Sequence, residues 1–224
     1  MMKAEVEKGR RDDWLDAAYN TLVQSGVESV KILPLAKSLQ TSRTSFYWCF
    51  KDRDALLEAL IERWKAKNTQ GLVSQTERYA DTIVEAMLNV FDCWLDDTLF
   101  DSEFEFAVRN WAMQSPKVAL EVASADQVRL DALTQMFVRF DYSPHNANVR
   151  ARTIYLTQIG YISMRTQETK EERMGRMADY IEIFTGQPYR RQDMARFASR
   201  HTPRLAEWMK AYDERKKEEE CRAT

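Results

Sequence analysis

Residues 42–53 combine hydroxyl, cationic and aromatic side chains in a way that suits contact with nucleic acid. The candidate contacts, in chain order, are Ser42, Arg43, Thr44, Ser45, Tyr47, Trp48, Lys51 and Arg53. An arginine such as Arg43 can form two parallel hydrogen bonds with a guanine edge, and hydroxyls can reach bases or phosphates. The remaining cationic and aromatic groups suit the phosphate backbone. The chemistry predicted here is non-covalent reading of duplex DNA.

Two short helices and a tight turn are predicted to position these side chains. Pro34 fits the first turn of a helix that carries Leu35, Ala36 and Leu39. Thr41 or Ser42 can cap a following helix that runs to about residue 49. Two such helices can place the second one in the major groove of DNA.

The aromatic residues of the second short helix allow two interpretations. Helical spacing turns Phe46 and Phe50 towards a core, while Tyr47 and Trp48 are expected to face outward. The alternative is that all of them belong to the core of a small bundle, as aromatics at helical spacing usually do.

The segment resembles the recognition segment of the TetR family of transcriptional regulators. The residues that carry the resemblance are Phe46, Tyr47, Trp48, Cys49 and Phe50, then Arg53, Leu56 and Leu57, with Leu35, Ala36 and Leu39 upstream. It covers about residues 12–60. The resemblance implies that Arg53 contacts phosphate at the start of the fourth helix and that six residues face DNA: Ser42, Arg43, Thr44, Ser45, Tyr47 and Trp48. This chain departs from the family in having Gln40 where a turn glycine is common, and Lys31 where a serine or threonine often opens the second helix.

The distribution of charge favours the amino-terminal third as the side that meets a polyanion. Residues 1–67 carry 12 basic and 10 acidic side chains, whereas the rest of the chain carries 21 basic and 25 acidic ones. Between Lys31 and Arg53 there are five basic residues, opposed only by Asp52. Such local positive charge attracts nucleic acid.

The composition favours an all-α protein. Only six Gly and five Pro interrupt a chain of 224 residues that is rich in helix-forming residues. We expect a helix-turn-helix DNA-binding domain over residues 1–57, a helical effector-binding and dimerisation domain over 58–188, and a helical extension over 189–224. The fourth helix should connect the first two.

Family resemblance implies that the larger domain binds a small effector, which we expect to be apolar or aromatic. The residues expected to line its pocket are Phe91, Trp94, Phe104, Trp111, Met113, Met136, Phe137, Tyr155 and Gln158. Most pockets are apolar with a few polar groups that fix the ligand. The alternative is that these residues form an ordinary core.

A twofold dimer is expected, because two recognition helices must meet successive major grooves about 34 to 36 Å apart. Apolar stripes in residues 146–164 and 174–184 are the candidate interface: Ile154, Ile159, Gly160, Ile162, Met177, Tyr180, Ile181 and Phe184. Here too the alternative is a core within one subunit.

Nothing in the sequence predicts an enzyme, a metal site or a cofactor. It has two histidines, no cluster of His and Cys at metal-binding spacing, and no glycine-rich phosphate loop. Three cysteines without such spacing fit a reducing compartment, and no stretch predicts a membrane span or a secretory signal. We therefore expect a cytoplasmic homodimeric repressor that an effector releases from operator DNA. The alternative is a helical ligand-binding or adaptor protein whose DNA-binding module is inactive.

Overall fold

The computed structural model describes residues 2–190, 192–194, 196–197 and 221, and this part of the chain is helical without strands. Its α-helices are α1 (Met2–Ser25), α2 (Ile32–Ser38), α3 (Arg43–Cys49), α4 (Arg53–Trp64), α5 (Gln70–Glu77), α6 (Ile83–Asp92), α7 (Ser102–Ala112), α8 (Pro116–Val138), α9 (Pro144–Ser163), α10 (Lys170–Gly175) and α11 (Met177–Thr185). A 3-10 turn at Val27–Ser29 and a π-helical segment at Lys65–Thr69 join neighbouring helices. The predicted all-α class is confirmed.

The chain divides into two compact units. The first unit contains residues 1–70 and 101–127, and the second contains 71–100 and 128–224. The helices that carry the candidate DNA contacts therefore share a unit with α7 and the beginning of α8. The domain boundaries expected from the sequence, after residues 57 and 188, remain predictions.

Capping residues define the helix-turn-helix in the first unit. The hydroxyl of Ser42 accepts a hydrogen bond from the backbone N–H of Ser45 at the start of α3, and the carboxylate of Asp52 accepts one from Ala55 at the start of α4. Gln40, in the turn between α2 and α3, adopts a left-handed backbone with φ of 51°. This is the position at which the resemblance implies a glycine, and it explains that preference, because glycine adopts positive φ without steric cost.

Aromatic residues hold α3 against its neighbours in the first unit. The rings of Trp14 in α1 and Phe46 in α3 meet edge to face with centroids 5.1 Å apart, and Phe50 stacks on Phe46 at 5.6 Å. Leu60 of α4 is buried in the same core. Truncation of a buried aromatic side chain typically costs about 3 to 5 kcal/mol. The position of α3 is therefore strongly fixed.

A buried carboxylate links α4 to α7 within the first unit. Glu105, fully buried in α7, accepts hydrogen bonds from Nε1 of Trp64 at 2.7 Å, from Nδ2 of Asn68 at 2.9 Å and from Nε of Arg109 at 2.9 Å. Asn68 lies in the π-helical segment, which is a common feature at functional positions of helices. We call these four residues the Glu105 cluster.

The second unit is built around α6, which is buried at nearly every position. The sequence predicts one helix over residues 75–98, whereas the structure has a break between α5 and α6, where the Thr82 hydroxyl caps α6 by accepting from Glu85 N–H. Arg129, also fully buried, donates a hydrogen bond from Nη1 to the Tyr155 hydroxyl at 2.9 Å. The interior of the second unit therefore contains a hydrogen-bonded polar pair.

The predicted extension over residues 189–224 lies mostly outside the described residues. Of its members that are described, Met194 and Phe197 are buried against the second unit's core. None of the helices in the described part of the chain has the length and apolar character that crossing a bilayer demands.

Candidate nucleic-acid interface

The aromatic residues of α3 divide between its two faces. Phe46 and Phe50 are 0% and 4% exposed, whereas Tyr47 and Trp48 are 46% and 71% exposed. Successive residues of an α-helix are turned by about 100°, so neighbours in sequence face different directions. Because the core already contains Phe46 and Phe50, the outward position of a large indole has no role in packing α3.

Polar side chains surround the two outward aromatic rings. We call the exposed group the recognition face, and it consists of Ser42, Arg43, Thr44, Tyr47, Trp48 and Lys51. The Arg43 Nη2 donates a hydrogen bond to the Tyr47 hydroxyl at 2.9 Å, and its guanidinium carbon lies 5.6 Å from the Tyr47 ring centroid. This contact orders Arg43 along the outside of α3, where it can exchange one exposed partner for another.

Two of the predicted contacts lie elsewhere. Ser45 is buried, and its backbone N–H serves the Ser42 cap. Arg53 is half-buried, and donates from Nε to the Val30 carbonyl at 2.6 Å and from Nη2 to the Val27 carbonyl at 2.8 Å. Arg53 therefore braces the segment before α2. No sequence pattern indicates this role, because the acceptors are backbone atoms more than 20 residues away.

Two arginines that the sequence analysis did not select lie beside α3. The guanidinium of Arg10 lies 5.8 Å from the Trp48 ring centroid, and that of Arg11 lies 4.8 Å from the Phe50 ring centroid. Both arginines are exposed. The sequence predicts that α1 begins near residue 12, whereas it begins at Met2 because nothing in the first ten residues forces a break. The longer helix adds two positive charges at the edge of the recognition face.

The nine residues predicted to line an effector pocket do not share one cavity. Phe104 and Trp111 belong to the core of the first unit, and Met113 is exposed. Met136, Phe137 and Tyr155 are buried in the core of the second unit. Of the nine predicted residues, Phe91, Trp94 and Gln158 line the same small cavity, which has a volume of about 20 Å³ and lies in the second unit. A cavity of that size can hold about one water molecule.

Arg173 is the charged residue of this small cavity. It donates from Nη2 to Oε1 of Gln158 at 2.8 Å, and its guanidinium lies 4.9 Å from the Tyr161 ring centroid. Burial lowers the pKa of the Arg173 guanidinium from its ordinary value. No sequence pattern indicates this position for Arg173, because it lies in a charged segment in which a residue is usually solvated.

The residues predicted for a dimer interface mostly face the interior of the second unit. Ile154, Met177, Ile181 and Phe184 are buried, while Ile159, Gly160, Ile162 and Tyr180 are half-buried. The same helices expose other apolar side chains, namely Val149 and Leu156 on α9 and Ile183 on α11. Val149 and Leu156 are seven residues apart and therefore lie on one face of α9. A partner subunit would meet these outward residues first.

The tri-helical arrangement of α1 to α3, its capped turn and the exposed face of α3 define a helix-turn-helix DNA-binding module. Residues 15–60 match the family model described as bacterial regulatory proteins, tetR family. The match lies within residues 12–60, the segment in which the sequence resembles the TetR family, and it supports a DNA-binding transcriptional regulator of that type. No curated protein matches the chain.

Proposed function

We propose that the protein is a homodimeric repressor that reads operator DNA with the recognition face and leaves it when a small molecule binds. The observation that carries the DNA-reading role is the outward position of Tyr47 and Trp48, beside Arg43 and Lys51, on a helix whose inner face is fully packed. A protein that needed α3 only for folding would gain nothing from an indole in solvent.

Within the proposed interface, Arg43 reads sequence. It lies at the first position of α3, and in helix-turn-helix proteins the amino-terminal residues of the recognition helix contact base edges. To contact guanine its guanidinium would exchange the Tyr47 hydroxyl for the base. The side chains of Tyr47, Trp48 and Lys51 would contact sugar and phosphate, with the Thr44 hydroxyl available to either. Arg10 would add charge attraction from α1.

The proposed dimer uses the outward residues of the second unit. Val149, Leu156 and Ile183 are exposed apolar side chains on two helices of that unit. A twofold axis through such a surface would bring two copies of each residue together. Leu156→Glu should therefore give monomers in sedimentation velocity, whereas Leu120→Glu, at an exposed leucine of the first unit, should leave the dimer intact.

The proposed effector is a small apolar or aromatic molecule held in the second unit. Trp94, Phe91 and Gln158 supply the mixed lining that such ligands require, and Arg173 adds a partly desolvated positive charge. Because the present cavity is small, binding would require the surrounding helices to open. An effector lowers DNA affinity only by as much as it favours a dimer geometry that does not fit DNA.

Binding to the DNA beside its own gene tests the proposal directly. Fluorescence anisotropy of labelled duplexes, measured across a range of salt concentrations, should show affinity that falls steeply as salt rises. Trp48→Ala should weaken binding by about tenfold, an effect of the size that a lost interfacial aromatic often has. Leu120→Ala is the matched control, since it removes an equally exposed apolar side chain of the first unit away from α3.

No salt-dependent binding to this DNA or to random duplex would instead favour a helical ligand-binding or adaptor protein with an inactive DNA-binding module. Equal loss of affinity in Trp48→Ala and Leu120→Ala would contradict the assignment of α3 as the reading element.

A further inference from the structure

The first unit contains a groove that is separate from the recognition face. It runs between α4 on one side and the corner between α7 and α8 on the other, with a volume of about 370 Å³. Sites for small molecules in proteins usually measure about 300 to 1,000 Å³. The groove is therefore large enough for an organic ligand.

The floor of the groove is apolar. Leu57 and Ile61 of α4 line it from one side, and Trp111 of α7 and Val118 of α8 line it from the other. All four residues are largely buried in the first unit. An apolar ligand group would therefore find both aliphatic contacts and an indole ring.

The rim of the groove is acidic. Its charged residues are Asp54, Glu58, Glu62 and Glu121 on one hand and Arg53 and Lys117 on the other. Lys65 lies nearby and contacts both Glu62 and Glu121. Even with Lys65 counted, the carboxylates outnumber the cations, and the Arg53 guanidinium is already bonded to the Val27 and Val30 carbonyls.

We propose that this groove binds a small organic cation, in which an aromatic or branched aliphatic group carries a single ammonium or amidinium. The apolar part would lie on Trp111, Ile61 and Val118, and the cation would lie among the rim carboxylates. An indole face attracts a cation through its ring quadrupole, which adds to the carboxylate attraction. This site is distinct from the small cavity of the second unit.

Lys117 is the internal competitor for this site. Its Nζ lies 2.5 Å from Oε1 of Glu58 across the rim, and this hydrogen bond raises the pKa of Lys117. The ammonium form therefore persists at neutral pH and occupies Glu58 when no ligand is bound. Replacing Lys117 with a neutral residue should free this carboxylate and strengthen binding of an external cation.

Three probes of the same shape and different charge test the proposal. Isothermal titration calorimetry of the full chain without DNA would compare naphthylmethylamine, naphthylmethanol and naphthylacetate. We expect affinity to fall in that order, with the cation binding up to about fivefold more tightly than the neutral alcohol, since one exposed charge interaction contributes up to about 1 kcal/mol.

Variants at the rim locate the binding. The double variant Glu58→Gln with Glu121→Gln should lose the preference for the cation over the alcohol, and Lys117→Gln should tighten cation binding about threefold. Glu77→Gln, at an exposed carboxylate of α5 in the second unit, is the control and should change nothing. Circular dichroism would verify that each variant is folded.

The proposal is overturned if no probe binds at about 1 mM, an affinity near the weak limit of specific sites. It is equally overturned if the cation and the alcohol bind alike, or if the double variant retains the cation preference. These measurements do not involve DNA, so their failure would leave the proposed DNA-binding role unaffected.

Discussion

The recognition face and the Glu105 cluster are both rich in aromatic and polar side chains, yet they differ in what their polar groups contact. In the Glu105 cluster the Trp64 indole N–H and the Asn68 amide are buried, and both donate hydrogen bonds to the buried carboxylate. On the recognition face Trp48 and Lys51 extend into solvent, and the hydrogen bond from Arg43 to Tyr47 is exposed. The first arrangement stabilises the fold, because a buried polar group is costly unless it is bonded. The second leaves donors and rings available for a partner.

Removing the central carboxylate should give the largest effect. Glu105→Ala leaves the Trp64 N–H, the Asn68 amide and Arg109 without their shared acceptor, so we expect a loss of about 3 to 5 kcal/mol in the free energy of unfolding. Urea unfolding monitored by circular dichroism measures it. Glu77→Ala, at an exposed carboxylate, should stay within about 0.5 kcal/mol of the parent. If Glu105→Ala changed the free energy of unfolding as little as Glu77→Ala does, the Glu105 cluster would not hold the first unit together.

Arg43→Ala tests the opposite region. Stability should hardly change, because the side chain is exposed, while discrimination between the cognate operator and DNA mutated at the contacted base should fall by about 1 to 3 kcal/mol. Anisotropy titrations with both duplexes measure this. If Arg43→Ala weakened binding to cognate and random DNA equally, Arg43 would be a phosphate contact and not a reader of sequence.

Arg53 has features of both regions, because it is half-buried and bonded to backbone carbonyls, yet it carries a positive charge beside α3. Arg53→Ala removes two hydrogen bonds to backbone carbonyls, so we expect a loss of about 1 to 3 kcal/mol in unfolding free energy. Affinity for all DNA sequences should fall similarly, since the positions of α2 and α3 depend on the braced segment. Arg53→Lys keeps the positive charge but loses the second hydrogen bond. If the main role of Arg53 is to contact phosphate, this variant should bind DNA as the parent does. If its main role is to brace the segment before α2, DNA binding should stay weak.

The smallest effect is expected at the turn between α2 and α3. Gln40→Gly should raise the free energy of unfolding by about 0.5 to 1 kcal/mol, because the residue has positive φ and glycine removes the steric cost of that conformation. Thermal unfolding would show this as a modest rise in Tm. A fall in Tm would show that contacts of the Gln40 side chain stabilise the protein by more than its backbone conformation destabilises it.

Much of the local structure could be predicted from the sequence because its causes are local. Ser42 and Asp52 cap α3 and α4 through bonds that span three residues, and helical spacing alone turns Phe46 inward and Trp48 outward.

The candidate effector pocket and dimer interface were less predictable. Apolar side chains such as Ile154 and Phe104 suited an interface, a pocket or a core equally well in the sequence, and the structure places both in cores. The contacts of Arg173 and Arg53 were also missed. The partner of Arg173 is 15 residues away, and the acceptors of Arg53 are distant backbone carbonyls.

The helical class, the caps and the two faces of α3 could be inferred from the sequence, since each follows from interactions within one or two turns. The burial of Ser45, the bracing of the segment before α2 by Arg53, and the hydrogen bond from Trp64 of α4 to Glu105 of α7 became visible only in the folded protein. Those outcomes depend on which groups far apart in the sequence meet, and local sequence patterns do not reveal the packing that brings them together.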